Sequence, residues 1–465
     1  MVVRQTGKNR QGELIPRSMS PVIGIDPNHR LVKLTEQLNW DELVDLVQGI
    51  RAGKLKSAAG RPPHLRPLVG VLVLRATRRM TYRDTEDQVR YYAPARYLCA
   101  LTETDWTPDT NTICDFEKLL GEDGVKLVNE YIVRQAVELG LADPTVAVAD
   151  TTAQEAAIPY PNEMGLLSSF LSRVASAASA AGGVLKGFVE KAQETFSTAK
   201  KKFREYRLFA KEKSKAAKDE MTAKMVELVE HLQSQLGSAL ESARQTAGRL
   251  GSRGRQNLKK LKRLHEVVGK LTPQIRYWLK TGFVAAGKIV SLQIPEVYTI
   301  VRGKVGKKVE FGLQWGVTRL GGGFLLATMG LRRGDVHDQR YVVGAVRELV
   351  ALLGKAPTKY AYDRGGDSPK GLEKLGALGV EHIGVAPQGR RPWSVSGKMK
   401  DELVAERAKV EGGIGAVKSG RYGFNRPAAH SAEKMGVCGQ RAVLGFNLNK
   451  LVRELAKREE KVLVG

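Results

Sequence analysis

The chain has 465 residues, of which 42% are hydrophobic, so it is long and apolar enough for two to four domains with ordinary cores. Lys and Arg number 75 against 49 Asp and Glu, and this formal net charge of +26 favours a polyanionic partner, with nucleic acid as the first candidate. The three cysteines, Cys99, Cys114 and Cys438, are too scattered for a disulfide framework or a zinc finger.

The N-terminal region is basic and polar, and residues 1–30 are predicted to form a flexible basic arm. It has no apolar segment that could serve as a secretory signal, so a cytoplasmic protein is expected. Leu166 to Val189 is the most apolar long stretch, but Arg173 and Lys186 interrupt it. No membrane association is therefore expected.

Helical patterns dominate residues 31–140, which are predicted to form one helical domain. Helices are expected to begin near Asp41, near Thr81 and near Thr110, and another is expected over residues 64–79. Several short helices in a basic region resemble a helix-turn-helix DNA reader. On pattern alone, a helical bundle that only packs explains them equally well.

The pattern changes at Thr145, where Thr-Val-Ala-Val-Ala predicts a buried strand that ends at Asp150. Residues 161–284 are then predicted to form a long basic helical insertion. One helix in it carries an apolar stripe at steps of three and four, typical of core packing: Met221, Met225, Leu228, Leu232, Leu236, Ala239 and Ala243. Its Lys and Arg runs, such as Lys200-Lys201-Lys202, favour phosphate contacts, although such runs are usually solvated faces.

After the insertion, apolar and polar residues alternate from Val309 to Thr318, and this pattern predicts the clearest strand of the chain. Further elements are expected in the following order: strand 324–328, helix 339–353, a strand ending at Asp363, helix 372–378, strand 381–386 and helix 399–417. Without the insertion, this is the order of an RNase H-like α/β fold, a mixed sheet with helices on its faces, formed by residues 141–160 and 285–465.

Three acidic residues are candidates for the chemistry: Asp150 and Asp363 at strand ends, and Glu411 within a helix. Carboxylate oxygens are the ligands that hard divalent cations prefer, and two such ions can activate a hydroxyl nucleophile and stabilise a leaving oxygen. The alternative is that each Asp is an ordinary turn or cap residue.

Glu411 is chosen over Glu402 and Glu406 because of its neighbours. Arg407, Glu411 and Lys418 are spaced by four and seven residues and therefore share one helical face. A metal ligand flanked by cations that hold DNA has this pattern. A surface ion pair between Arg407 and Glu411 is the alternative.

These residues resemble the DDE transposases of bacterial insertion sequences. The resemblance is carried by four segments, together with the C-terminal Gly445–Leu451: Ala149-Asp150-Thr151-Thr152, Val301-Arg302-Gly303-Lys304 followed by Val309-Glu310-Phe311-Gly312, Ala361-Tyr362-Asp363-Arg364-Gly365, and Arg407-(three residues)-Glu411-(six residues)-Lys418. The last matches three members of the family's Tyr-Arg-Glu-Lys signature. Val404 stands at the tyrosine position.

The resemblance implies that Asp150, Asp363 and Glu411 form a catalytic triad that binds Mg²⁺ or Mn²⁺, with two ions expected per site. It implies DNA contacts by Arg407, Lys418, Arg302 and Lys304. It further implies that residues 31–140 recognise the terminal inverted repeats of an insertion sequence, and that a homodimer or larger synaptic complex joins these ends to target DNA in the bacterial cytoplasm.

Two other classes of function stay open. A DNA-binding protein that has lost catalysis would keep the basic surfaces, but it would have no need for three acids beside phosphates. A structural or partner-binding protein built on the amphipathic helices of residues 165–280 would require neither metal nor DNA.

Overall fold

A computed structural model of the chain describes residues 25–54, 64–102, 104, 106–181, 185–209, 214–244, 250–301 and 309–464. Contacts divide the chain into two compact units. The first comprises Met1–Ala157 and Leu313–Gly465, and the second comprises Ile158–Gly312.

In the described part of the chain six helices precede the first strand, which agrees with the helical character predicted for residues 31–140. They are α1 (Arg30–Gln37), α2 (Trp40–Lys54), α3 (Leu65–Thr77), α4 (Tyr82–Tyr91), α5 (Ala93–Leu98) and α6 (Thr110–Glu138). The predicted starts of α4 and α6 are confirmed, because Thr81 and Asp84 form a reciprocal capping box and Asp109 accepts from the amide of Thr112. Helix α6 is kinked at Gly121, whose φ is 62°.

The first unit contains a mixed sheet. Its strands are β1 (Asp143–Glu155), β3 (Val309–Gly321, which begins in the second unit), β4 (Leu325–Gly330), β5 (Lys359–Tyr362) and β6 (His382–Val385), in the spatial order β4-β3-β1-β5-β6. Strands β3 and β4 are antiparallel, whereas β1, β5 and β6 are parallel. The predicted strands and hairpin are confirmed, but the prediction that the first strand ends at Asp150 is wrong, because β1 continues to Glu155.

Four helices accompany the sheet: α11 (Asp338–Leu353), α12 (Pro369–Ala377), α13 (Gly397–Lys418) and α14 (Ala432–Val464). The first three match predicted helices. Helix α14 has no counterpart among the predicted elements, because residues 435–448 are buried almost without interruption and carry no amphipathic stripe.

One hydrophobic core joins α1–α6 to the sheet within the first unit. Leu43 of α2, Ile132 of α6, Ala147 of β1 and Leu448 of α14 all belong to it. The division into arm, helical domain, catalytic domain and insertion stays a prediction.

The second unit contains α7 (Glu163–Ala181), α8 (Lys186–Phe209), α9 (Lys215–Arg244), α10 (Ser252–Thr281) and β2 (Tyr298–Val301), which pairs antiparallel with the first residues of β3. The predicted apolar stripe of α9 faces the core of this unit, where Met225, Leu232 and Leu236 are fully buried. Among the helices that the structure describes, none combines the length and apolar character needed to cross a membrane.

A buried carboxylate, Glu117 of α6, lies at the centre of a charged cluster in the first unit. Its side chain is 1% exposed and lies 2.8 Å from Nε of Arg75 and 2.7 Å from Nη1 of Arg441. Its other oxygen lies 2.8 Å from Nζ of Lys434 and accepts from the hydroxyl of Tyr82. Burial opposes ionisation, but these cations outweigh it and hold the pKa of Glu117 well below its ordinary value of 4.5.

Glu117→Gln leaves three cations around a neutral amide, and we expect it to lower the free energy of unfolding by about 3 to 5 kcal/mol, measured by urea denaturation at neutral pH. The folded-state pKa is depressed, so Glu117 contributes its full stabilisation above about pH 4.5 and loses it as the pH falls further. The difference between wild type and Glu117→Gln should therefore shrink in acid.

Asp115→Asn is the matched control, because Asp115 lies on the same helix in an exposed pair with Lys118. It should cost no more than about 1 kcal/mol. Equal effects of the two substitutions would contradict the central role given to Glu117.

Candidate active site

The pairing of β1 with β5 brings two of the candidate carboxylates together. The strands are parallel, and Ala149 lies opposite Tyr362. Asp150 and Asp363 are the next residues on each strand's path, so they are neighbours where the paired segments end.

Helix α13 covers the face of the sheet that bears these carboxylates. Val148 and Ala361 pack with Leu403 and Val410 of the helix in one apolar cluster. Side chains two residues apart on a strand share a face, so Asp150 and Asp363 project toward the same side as Val148 and Ala361. Glu411 directly follows Val410, and the third carboxylate therefore comes from the covering helix.

A single guanidinium connects two of the three acids. Nη2 of Arg407 lies 3.0 Å from Oδ1 of Asp363 and 3.9 Å from Oε1 of Glu411. The side chains are partly open to solvent, with 38% of Arg407, 45% of Asp363 and 69% of Glu411 exposed. The predicted Arg407–Glu411 face is thus present, and Arg407 also reaches the strand-end carboxylate.

Asp150 is partly buried. Burial raises the pKa of Asp150 to about 6, and the charges of Asp363 and Asp338 act in the same direction, whereas the amide of Thr151 and the charge of Arg407 oppose them. A carboxylate in this position is more stable when additional positive charge is nearby.

Asp338, the first residue of α11, is a fourth acid that the sequence patterns did not single out. Its Oδ1 accepts from Oγ1 of Thr151 at 2.8 Å and from the hydroxyl of Tyr362 at 3.1 Å. These residues adjoin Asp150 and Asp363, so one carboxylate joins the middle of β1 to the end of β5. Its only signal in the sequence is its place at a helix start, where an acid is common without any functional role.

Glu402 and Glu406, the alternatives to Glu411, are engaged elsewhere. Oε1 of Glu402 accepts from Lys359 at 2.7 Å. Oε2 of Glu406 accepts from Arg319 at 2.9 Å. Glu411 differs from both in lying 3.9 Å from the guanidinium that also contacts Asp363.

Lys418, at the end of α13, donates to Oγ1 of Thr152 at 3.2 Å. Thr152 lies two residues beyond Asp150 on β1, so Lys418 is also near the carboxylate site. Val404, at the tyrosine position of the signature, is 46% exposed on α13. Arg302 and Lys304 lie outside the described residues.

Asp150, Asp363 and Glu411 offer carboxylate oxygens, which are the ligand atoms that a hard divalent cation prefers. Within the ranges that the structure describes, no group of three or more His, Cys, Asp or Glu side chains is close enough to hold a metal ion. Arg407 instead supplies the positive charge between Asp363 and Glu411. For all three acids to bind one cation, this guanidinium has to move away from Asp363.

Comparison with known families gives a partial result. Residues 23–119, about a fifth of the chain, match the family model described as Transposase domain (DUF772). No curated protein and no solved structure matches the chain. The match supports a transposase, and it covers α1 to α5 and the first turns of α6, not the residues of the carboxylate site.

Proposed function

We propose that this protein is a DDE transposase that binds the terminal inverted repeats of a bacterial insertion sequence and catalyses metal-dependent strand cleavage and strand transfer. One observation carries the proposal: the parallel β1–β5 pair sets Asp150 beside Asp363 on the sheet face that α13 covers with Arg407 and Glu411. The transposase-family match of residues 23–119 supports it independently.

The RNase H-like assignment is supported by the strand arrangement. A central β1 with two parallel strands on one side and an antiparallel hairpin on the other agrees with the predicted mixed sheet. A helix on each face also agrees, since α11 packs under Tyr360 and Tyr362 and α13 packs over Val148 and Ala361.

Asp150, Asp363 and Glu411 are proposed to hold Mg²⁺ or Mn²⁺, with two ions per site. When bound, the metal would activate the attacking hydroxyl and stabilise the leaving oxygen. In hydrolysis, water oxygen bonds to phosphorus and the bond to the strand's 3′-oxygen breaks, which leaves a 3′-hydroxyl. In transfer, this 3′-hydroxyl oxygen bonds to a phosphorus of target DNA, the bond from that phosphorus to the target strand's 3′-oxygen breaks, and the proton of the attacking hydroxyl passes through solvent to the departing oxygen. No bond between protein and DNA is required.

Arg407 and Lys418 are proposed to hold the DNA end beside these acids. Arg407 is 38% exposed and has five donors suited to a phosphate, so a DNA phosphate can replace Asp363 as its partner. This exchange would release Asp363 for the metal. Arg302 and Lys304 are proposed as further DNA contacts from the resemblance alone.

The assembly and location follow from the same proposal. Helices of residues 31–140 would read the inverted repeats, and the basic helices of residues 161–284 would contact phosphates. A homodimer or larger synaptic complex would bring two ends and target double-stranded DNA together in the bacterial cytoplasm.

Asp363→Asn should lower the rate of metal-dependent nicking at the repeat ends by at least about a thousandfold, or about 4 kcal/mol, because an amide binds the cation poorly. The assay uses linear DNA carrying the repeats that flank the gene, with Mg²⁺ or with chelator. Binding of the same DNA, measured in chelator, should be retained.

Asp401→Asn is the control, since Asp401 is an exposed residue of the same helix as Glu411. Normal cleavage by Asp363→Asn would refute the assignment of the triad. Tight binding by wild type without any metal-dependent nick would favour the DNA-binding protein that has lost catalysis.

Asp338→Ala should reduce cleavage by about 10- to 100-fold and raise the Mg²⁺ concentration needed for half-maximal rate, because Thr151 and Tyr362 lose their shared acceptor. Asp338→Asn keeps an acceptor oxygen and should be impaired less. Mg²⁺ titrations of the cleavage rate of wild type and both variants check this. The same half-maximal Mg²⁺ concentration for wild type and Asp338→Ala would contradict it.

Replacing Lys200, Lys201 and Lys202 of α8 by Gln should weaken DNA binding and flatten the slope of log affinity against log salt by about one for each lysine that contacts a phosphate. Lys211 and Lys213, from the same predicted basic run, lie outside the described residues. The paired cations of α9 provide a control, Lys224→Gln with Arg244→Gln, because Glu220 and Glu241 already compensate them. An unchanged slope in the triple variant would make the lysine run an ordinary solvated face.

A further inference from the structure

A cavity of about 260 Å³ lies in the first unit, between the start of α1, the segment after α13, and α14. Cations dominate its lining, to which no Asp or Glu of the described residues contributes. The lining residues that matter here are Arg30, Arg421, Tyr422, Asn449, Lys450 and Arg453.

The positive charges around this cavity are incompletely balanced. Arg30 is half-buried, and burial lowers the pKa of Arg30, with further lowering by the charges of Arg421 and Arg78. Nη2 of Arg421 donates to a neutral partner, Oδ1 of Asn449, at 3.3 Å. Such a group of cations is stabilised when an anion enters.

Glu454, the carboxylate that pairs with the lining residues Lys450 and Arg453, is already shared. It lies 3.3 Å from Nζ of Lys450, 3.6 Å from Nε of Arg453 and 3.3 Å from Nζ of Lys457. One negative charge therefore serves three cations of α14, and Arg30 and Arg421 are left without a carboxylate partner among the described residues. The cavity keeps a net positive charge.

The walls of the cavity are held in place by packing. The amide of Arg79 donates to the carbonyl of Arg421 at 2.6 Å, which joins the segment after α13 to the end of α3. At Gly445, an added Cβ would lie 1.8 Å from the carbonyl oxygen of Ala76, so α14 is pressed against α3. Tyr422, 7% exposed, forms a rigid aromatic wall beside the guanidinium of Arg421. The site is preformed.

The cavity is also close in sequence to the proposed catalytic residues. Arg421 comes three residues after Lys418, a separation of at most roughly 11 Å between their Cα atoms. Lys418 contacts Thr152, two residues beyond Asp150. A DNA strand held by Lys418 can therefore present one of its neighbouring phosphates to Arg421.

We propose that this cavity is a phosphate-binding site for the backbone of the DNA whose end lies at Asp150 and Asp363, with Arg30 and Arg421 as the principal ligands of the phosphate and Lys450 and Arg453 beside them. The inference rests on the proposed function, because it takes DNA as the source of the phosphate. It assigns α1 a role in holding the DNA backbone. Such a contact positions the strand and carries no information about base sequence.

The test measures binding of a short linear duplex by fluorescence anisotropy in chelator, across a range of salt, for wild type and for Arg30→Gln with Arg421→Gln. We expect at least about tenfold weaker binding and a salt slope smaller by about two. The loss should be equal for a duplex with the repeat sequence and for an unrelated duplex. Arg347→Gln with Lys355→Gln removes the same charge from exposed positions outside the cavity and should change both quantities less.

Arg453→Glu provides a second variant in case the double variant fails to fold, because the Arg453 side chain is 61% exposed. It should also weaken binding and lower the slope. Unchanged affinity and slope in the folded variants would overturn the inference, as would absence of DNA binding by wild type. A further outcome is that millimolar inorganic phosphate raises the Tm of wild type but not of the double variant, while the two proteins bind DNA equally well. That result would overturn the inference in favour of a free phosphate ligand.

The same experiment separates this inference from the proposed catalysis. Binding is measured without metal, so a wild type that binds DNA but never cleaves would refute the catalytic proposal and leave the variants to decide on the cavity. Conversely, normal cleavage by wild type together with unaffected binding by the cavity variants would refute only the phosphate site.

Discussion

The candidate site depends on the parallel pairing of β1 with β5. The two aspartates are 213 positions apart in the chain, and only the register that sets Ala149 opposite Tyr362 makes them neighbours. A slip of one residue would turn one carboxylate to the opposite face, toward α11. Val148 and Ala361, buried under α13, resist such a slip because they would lose their apolar contacts with the helix.

Two groups of acids in the first unit differ in how far nearby cations compensate their negative charge. Glu117 is buried and surrounded by three cations and a tyrosine hydroxyl, so its charge is fully compensated and its role is structural. Asp150, Asp363 and Glu411 have Arg407 as their principal cation, and two of them are open to solvent. This group is under-compensated, and Arg407 occupies the position beside Asp363 that an added cation would need. The basic cavity beside α1 and α14 has the opposite imbalance, because its cations outnumber the carboxylates that contact them.

Much of the fold could be predicted locally. Strict alternation from Val309 to Thr318 predicts a strand, and an oxygen-bearing cap before α4 or α6 predicts a helix start. Both signals come from residues that are close together in the sequence. Helix α14 was not predicted, since its residues 435–448 are buried almost without interruption and show no amphipathic stripe. Asp338 was not singled out for a different reason. Its partners, Thr151 and Tyr362, lie on two other elements, and an acid at a helix start is common because it interacts favourably with the helix dipole.

The sequence by itself determined most of the elements, the excess of positive charge and three of the four acids considered, because periodicity, composition and local spacing are properties of neighbouring residues. It also determined that Arg407, Glu411 and Lys418 share a face, since a helix repeats every 3.6 residues. Only the tertiary structure decided that Arg407 bridges Asp363 and Glu411, that Glu402 and Glu406 pair elsewhere, and that Arg30 meets Arg421 in one cavity. These contacts join residues distant in the chain, and their geometry follows from strand register and helix packing, which no local pattern encodes.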